Sequence, residues 1–363
     1  MSEDRLRVLD GIRGIAALMV LVYHLPLIVT PQATIPDWAL FTAYGGSGVK
    51  LFFVLSAFSL CLTMPAHLCS GAPLFSFFTK RFLRIAPLFY LVTVYQLLSM
   101  QIAQGQLPPF DILLANFTLL FNLYPKAADC LIFAGWTIGV EVLFYLMFPA
   151  LYRSADTLGK RAALFIGSFA AFPIFMGLLS YLPVDSAVAE RYSILTIFLY
   201  LPAFAAGMLV FPIYQRYAQQ DGAREIGLIL LSVAFALYAF LASGRLIGIL
   251  PPAHWETFCF GFFVLGAALR GFPALIDRPL SFVGRISYSV YLLHGPIIIM
   301  ANPLFQWMNG WEAPPTVRFT AMLATALCLV LPLSLLSFNL VEQPSIHLSK
   351  KLIKHYTATR HTR

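Results

Sequence analysis

Ten apolar segments, each close to the length that crosses a bilayer, divide this chain from end to end. Their approximate limits are 14–31, 46–64, 85–104, 132–152, 162–182, 192–212, 226–243, 254–270, 286–303 and 318–340. A span takes about 20 apolar residues, so this pattern excludes a fold built from soluble domains. Composition supports the same exclusion. Charged residues make up 11% and hydrophobic residues 60% of the 363, whereas a soluble domain carries about 25% charged residues. So much apolar surface also excludes disorder. Lipid is the solvent for most of this chain.

The basic residues fall in the short connections, and their distribution orients the chain. With the N-terminus inside, the inner connections hold nineteen Lys and Arg, from Arg5, Arg7 and Arg13 to Lys350, Lys351, Lys354, Arg360 and Arg363. The outer side holds Lys126, Arg191, Arg245 and Arg318, with Lys50 near the outer mouth of the second span. The apolar stretch 108–124 opens on Pro108-Pro109. Counting it as a span would invert every later loop, so it reads as a re-entrant or interfacial segment. The expected fold is an all-α polytopic membrane protein of about ten transmembrane helices, with both termini cytoplasmic. Residues 1–345 form the membrane domain and 346–363 a basic cytoplasmic tail, drawn to anionic lipid. In the longest inner loop, 65–84, the amphipathic stretch Phe75–Arg84 is expected along the inner interface.

The net charge of +8 belongs to these connections and does not suggest nucleic acid. No small-residue cleavage site follows the first apolar run, which reads as a retained span. The five cysteines show neither CxxC nor metal-ligand spacing, so packing is expected and no metal site.

An ionisable side chain in a span costs several kcal/mol unless it faces protein or a wet cavity. His24 lies eleven residues after Arg13, about 16 Å into the bilayer at the helical rise. Glu141 lies twelve residues before Arg153, about 18 Å in. His294 lies nine residues after Arg285, about 14 Å in. Three helices anchored independently by charge thus bring His, Glu and His to one depth. Each alone has a plain structural alternative, a hydrogen bond to a facing helix. Together they point to a shared polar cavity in which a histidine beside a carboxylate serves as a general base. Arg81-Phe-Leu-Arg84 puts two guanidinium groups on one helix face. That reads either as positive-inside topology or as a phosphate clamp. Gly45-Gly-Ser-Gly48 reads as a turn or as a site of close backbone approach.

At these residues the chain resembles the acyltransferase 3 family of integral membrane O-acyltransferases, which acetylate sugars of bacterial surface and secreted glycans. Leu6 to His24 matches the first-helix signature, a basic residue, ten others, then His. Gly48 to Phe58, Arg81 to Pro87, Trp136 to Pro149, Ser287 to His294 and Val341 to Pro344 resemble later blocks in the family's order. Two positions depart from it: Lys50 stands where an acidic or polar residue is common, and Ala57 replaces a glycine.

The resemblance implies an acyl-CoA donor, acetyl-CoA, arriving from the cytoplasm. It implies a carbohydrate hydroxyl as acceptor, on a glycan or lipid-linked saccharide, in a bacterial inner membrane. Arg13, Arg81 and Arg84 would hold the CoA phosphates. His24 would take the hydroxyl proton, with Glu141 orienting it and His294 or Tyr288 assisting. Ser56, Trp136 and Tyr288 would line the substrate site. The rival from another class is a secondary transporter that couples protons through intramembrane His and Glu. The absence of a recognisable inverted repeat counts against it.

Overall fold

The computed structural model describes residues 3–30, 33–36, 44–181, 183–244 and 252–361. Pro31, Arg245 and Arg363 lie outside the described residues, as do the side chains of Arg5 and Arg360. The described residues form helices in the order α1 (Glu3–Ile28), α2 (Gly48–Leu68), α3 (Pro73–Gln104), α4 (Phe110–Phe117), α5 (Trp136–Ser154), α6 (Leu158–Leu179), α7 (Ser186–Ser193), α8 (Ile197–Tyr217), α9 (Ala223–Ala242), α10 (Pro252–Arg270), α11 (Ala274–Arg285), α12 (Ser287–Met300), α13 (Asn302–Asn309), α14 (Pro315–Ser337) and α15 (Gln343–His361). No strand occurs among the described residues.

A helix coincides with each of the ten expected spans. Seven helical segments are long and apolar enough to cross a membrane, or eight if the bent pair α11–α12 is one span. The two that fall short, α5 and α10, have 19 residues each and carry Glu141 and Arg153, or Glu256 and Arg270. The chain is a multi-pass membrane protein.

The structure differs from expectation at two of these segments. The stretch 75–84 is not a separate interfacial element. α2 runs on to Leu68, and α3 starts at Pro73 and continues for 32 residues, about 48 Å at the helical rise. Pro73 suits the first helical turn, and no breaker intervenes before Pro87. The ninth span, expected over 286–303, starts at a bend and ends early, at Met300. The chain bends by 72° between α11 and α12, which leaves His294 on a 14-residue helix, about 21 Å long.

The contacts divide the chain into two units, Met1–Leu55 with Tyr214–Ser337 and Ser56–Ile213 with Phe338–Arg363. In the first unit α1 packs along α11 through glycine. A Cβ on Gly284 would run into the Asp10 carbonyl, and one on Gly14 into that of Leu280. The backbones therefore touch, as at small-residue crossings in membranes. The Gly45–Gly48 turn packs the same way. A Cβ on Gly45 would lie 2.5 Å from the Met19 carbonyl oxygen, and one on Gly48 2.8 Å from that of Ala16.

In the second unit the stretch 108–124 does not span. It forms the short helix α4 and 3-10 turns, and two fully buried asparagines tie it to irregular backbone elsewhere in the unit. Asn116 accepts from the Leu131 N–H (3.1 Å) and the Cys130 thiol (3.2 Å). Burial pushes that thiol up to about 12, so it stays protonated and donates. Asn122 donates to the Leu195 carbonyl (2.7 Å) and accepts from the Ile197 N–H (3.2 Å). Arg161, one of the nineteen basic residues of the expected inner connections, is buried. It donates to the Ala155 and Met208 carbonyls at 2.9 and 3.0 Å. A π turn over Phe338–Glu342 leads from α14 into α15. α15 packs along α3, where Tyr356 stacks on Phe75 with ring centroids 4.1 Å apart. The domain limit expected at 345/346 falls inside this helix.

Gly284→Ala is expected to cost about 1–3 kcal/mol, because the new methyl meets backbone that cannot rotate away. Gly167→Ala, which meets nothing within 4 Å, is expected to be neutral or to stabilise by up to about 1 kcal/mol through helix propensity. Thermal unfolding in detergent compares the two.

Candidate active site

In the first unit, α1 and α12 bring His24 and His294 into contact. Nδ1 of His24 lies 2.9 Å from Nε2 of His294. The rings are nearly parallel, at 22°, with centroids 5.0 Å apart. Nδ1 of His294 lies 2.6 Å from the Tyr291 carbonyl oxygen. A carbonyl only accepts, so His294 carries its proton on Nδ1. In the neutral ring Nε2 is then the acceptor, and His24 Nδ1 must donate to it. The lone pair of His24 is thereby assigned to Nε2. His294 is buried and His24 half-buried. Tyr291 and Tyr23 pack against the pair.

The same unit contains an ion pair that accounts for Lys50. Its ammonium meets the Glu256 carboxylate of α10, and the side chains are 18% and 9% exposed. A lysine in a span thus has its countercharge within the protein, as hydrocarbon requires. Nearby in the fold, Tyr238 of α9 donates to the Tyr44 carbonyl (3.1 Å) and lies 3.2 Å from the Ser47 hydroxyl.

In the second unit, Glu141 of α5 organises a polar centre. It accepts from Ser56 at 2.7 Å and from Tyr145, one turn further along α5. Ser56 and Tyr145 oxygens lie 3.4 Å apart. Arg81 turns inward from α3 over two rings, 5.6 Å from the Tyr145 centroid and 5.9 Å from that of Phe77. It donates to Thr63 at 3.5 Å. Its Nε is buried and has no hydrogen-bond partner among the described residues.

The other predicted residues fall as follows. Arg13 pairs with Asp10 at 2.7 Å. Arg84 is half-buried, one turn beyond Arg81. Trp136 packs at the start of α5 against Tyr200, centroids 5.3 Å apart. Tyr288 lies in the first turn of α12, next to the 72° bend. Residue by residue, His24 and His294 meet, as do Glu141 and Ser56, with Arg81 beside Tyr145.

Sequence reasoning named Tyr145 only as part of a block and passed over Glu256. Both carried a signal. Tyr145 stands four residues after Glu141, which puts the two on one helix face. Glu256 is an acid within an expected span, and Lys50 is a base within another.

A polytopic helical protein with paired intramembrane histidines and an inward-turned arginine defines the class to be matched. The chain belongs to the acyltransferase domain family, whose profile matches residues 6–335. It is 23% identical over 288 residues to ORF330 of Acidianus two-tailed virus, a candidate acetyltransferase, which covers 78% of this chain and 80% of that one. It is also 23% identical over 372 residues to the peptidoglycan O-acetyltransferase OatA of Listeria monocytogenes, covering 93% of this chain and 55% of that one. A shorter match, 46% identical over 69 residues, is to BcsY of Komagataeibacter xylinus, a candidate membrane-bound transacylase, and covers 19% and 15%. The chain therefore spans about half the length of OatA. No solved structure matches it.

The Lys50–Glu256 pair makes a prediction of opposite signs. Lys50→Leu alone strands a carboxylate in a span and is expected to destabilise by about 3–5 kcal/mol, whereas Lys50→Leu with Glu256→Leu is expected to be near neutral. Unfolding midpoints of both variants in detergent give the comparison.

Proposed function

We propose that this protein is an O-acyltransferase of a bacterial inner membrane that moves an acetyl group from cytoplasmic acetyl-CoA to a hydroxyl of a carbohydrate, such as a cell-surface polysaccharide. The observation that carries this reading is the chain from the Tyr291 carbonyl through His294 to His24, which assigns a basic nitrogen to His24 Nε2. Family membership supplies the acyl-transfer chemistry, and the name of OatA supports a glycan acceptor.

In the proposed reaction His24 Nε2 takes the proton of the acceptor hydroxyl as its oxygen attacks the thioester carbonyl carbon. The imidazolium that forms shares its Nδ1 proton with His294, which acts as the positioning residue. The tetrahedral intermediate collapses with cleavage of the carbon–sulfur bond. The CoA sulfur leaves and recovers the proton from His24. Arg81 and Arg84 take the anionic end of the donor. The buried Arg81 Nε supports this role, since an acceptor oxygen from the donor would complete its hydrogen bonding. Glu141 then acts through Tyr145, whose ring it holds against the guanidinium. Arg13, Ser56, Trp136 and Tyr288 complete the proposed donor and acceptor sites.

His24→Ala is expected to lower transfer by about 10²–10⁴-fold in membranes containing equal amounts of folded protein. Arg81→Ala is expected to raise the KM for acetyl-CoA more than it lowers kcat. Full transfer by His24→Ala, or an unchanged donor KM in Arg81→Ala, contradicts the corresponding assignment. Mass spectrometry of surface glycans from cells with and without the gene tests the acceptor class through loss of an acetyl increment.

A further inference from the structure

Beside Arg81 in the second unit, an open groove of about 520 Å³ runs along α3. Phe78, Phe82, Leu119, Val142 and Leu146 line it, and Leu352 of α15 forms part of one wall. Among its lining residues only Thr79, Arg81 and Tyr145 have polar side chains. We propose that this groove binds one anionic phospholipid, with an acyl chain along the apolar trough and the phosphate against Lys80 and Lys350.

Charge at the rim selects the occupant. Lys80 lies in the field of both Arg81 and Lys350, both lysines are exposed, and Lys80 stands between the lining residues Thr79 and Arg81. No ion pair among the described residues engages Lys80, Arg84 or Lys350. Gathered cations repel one another unless an anion sits among them. The docking of α15 builds this arrangement. The Phe75–Tyr356 stack holds α15 on α3, which places Leu352 at the trough and brings Lys350 into the field of Lys80. Polybasic segments attract anionic lipid electrostatically, and each buried methylene adds to that attraction. The donor proposed above is a poorer match for the trough, because the amides of a pantetheine arm would lose their hydrogen bonds against these phenylalanines and leucines. The lipid site does not depend on the transfer reading.

The test uses the full chain purified in detergent, with native mass spectrometry and thermal unfolding as readouts. Phosphatidylglycerol is expected to remain bound as one molecule per chain and to raise the unfolding midpoint by about 3 °C or more. Phosphatidylcholine and inorganic phosphate are expected to do neither. Lys80→Gln with Lys350→Gln is expected to reduce retained phosphatidylglycerol at least about fivefold, a loss of order 1 kcal/mol, while leaving the lipid-free midpoint in place. Leu146→Trp, which fills the trough and keeps the charges, is expected to do the same. If the double lysine variant fails to fold, Leu146→Trp alone decides. Equal retention of phosphatidylcholine overturns the proposal, as does undiminished retention in Leu146→Trp. Displacement of phosphatidylglycerol by coenzyme A, with loss of coenzyme A stabilisation in the lysine variant, also overturns it by assigning the rim to the donor.

Discussion

Hydrocarbon offers no hydrogen bonds, so every polar group that enters the span region must find its partner within the protein. That constraint organises what is irregular in this structure. Arg161 is buried because two backbone carbonyls receive it. The non-helical stretch before α5 persists because Asn116 bonds the Leu131 N–H and Asn122 ties it to backbone at Leu195 and Ile197. Lys50 is tolerated because Glu256 meets it.

The histidine pair follows from the same constraint, with a chemical consequence. The Tyr291 carbonyl can only accept, and this one fact propagates through two imidazole rings. It puts a proton on Nδ1 of His294, then on Nδ1 of His24, and leaves basicity on the far nitrogen of His24. A catalytic triad uses a carboxylate to set the tautomer of its base. Here a backbone carbonyl and a second imidazole set the tautomer of His24, which avoids placing another charge in lipid. In the second unit the polar centre has a different character. Glu141 gathers two hydroxyls, and Arg81 stacks over an aromatic ring while one of its donors stays unbonded.

Much of this was legible in the sequence because lipid leaves a coarse signature. Apolar runs of span length located the helices, and the ionisable residues within them marked both polar centres. The glycines of the 45–48 turn read as a place of close backbone approach, and α1 does press on them. What was not legible depends on rotation about helix axes and on side-chain direction. Depth alone placed His24, Glu141 and His294 at one level, but it could not pair His24 with His294 or Glu141 with Ser56 and Tyr145. Nor could a count of positive loop charges separate Arg161, which caps buried carbonyls, from lysines that face solvent. The start of the ninth span was placed at Ile286, where α12 does begin, but the 72° turn from α11 depends on packing that polarity does not encode. The length of α3 escaped because its basic, amphipathic first turns resemble a loop when judged by polarity.

The assignment of the lone pair to His24 Nε2 is open to direct measurement. Imidazole nitrogen NMR on protein labelled at histidine distinguishes protonated from unprotonated nitrogens, and His24→Ala and His294→Ala identify the two rings. At neutral pH both rings are predicted to carry the proton on Nδ1, with unprotonated Nε2, and His294→Ala is predicted to release His24 into a mixture of tautomers. A proton resident on His24 Nε2 in the unaltered protein would contradict the account.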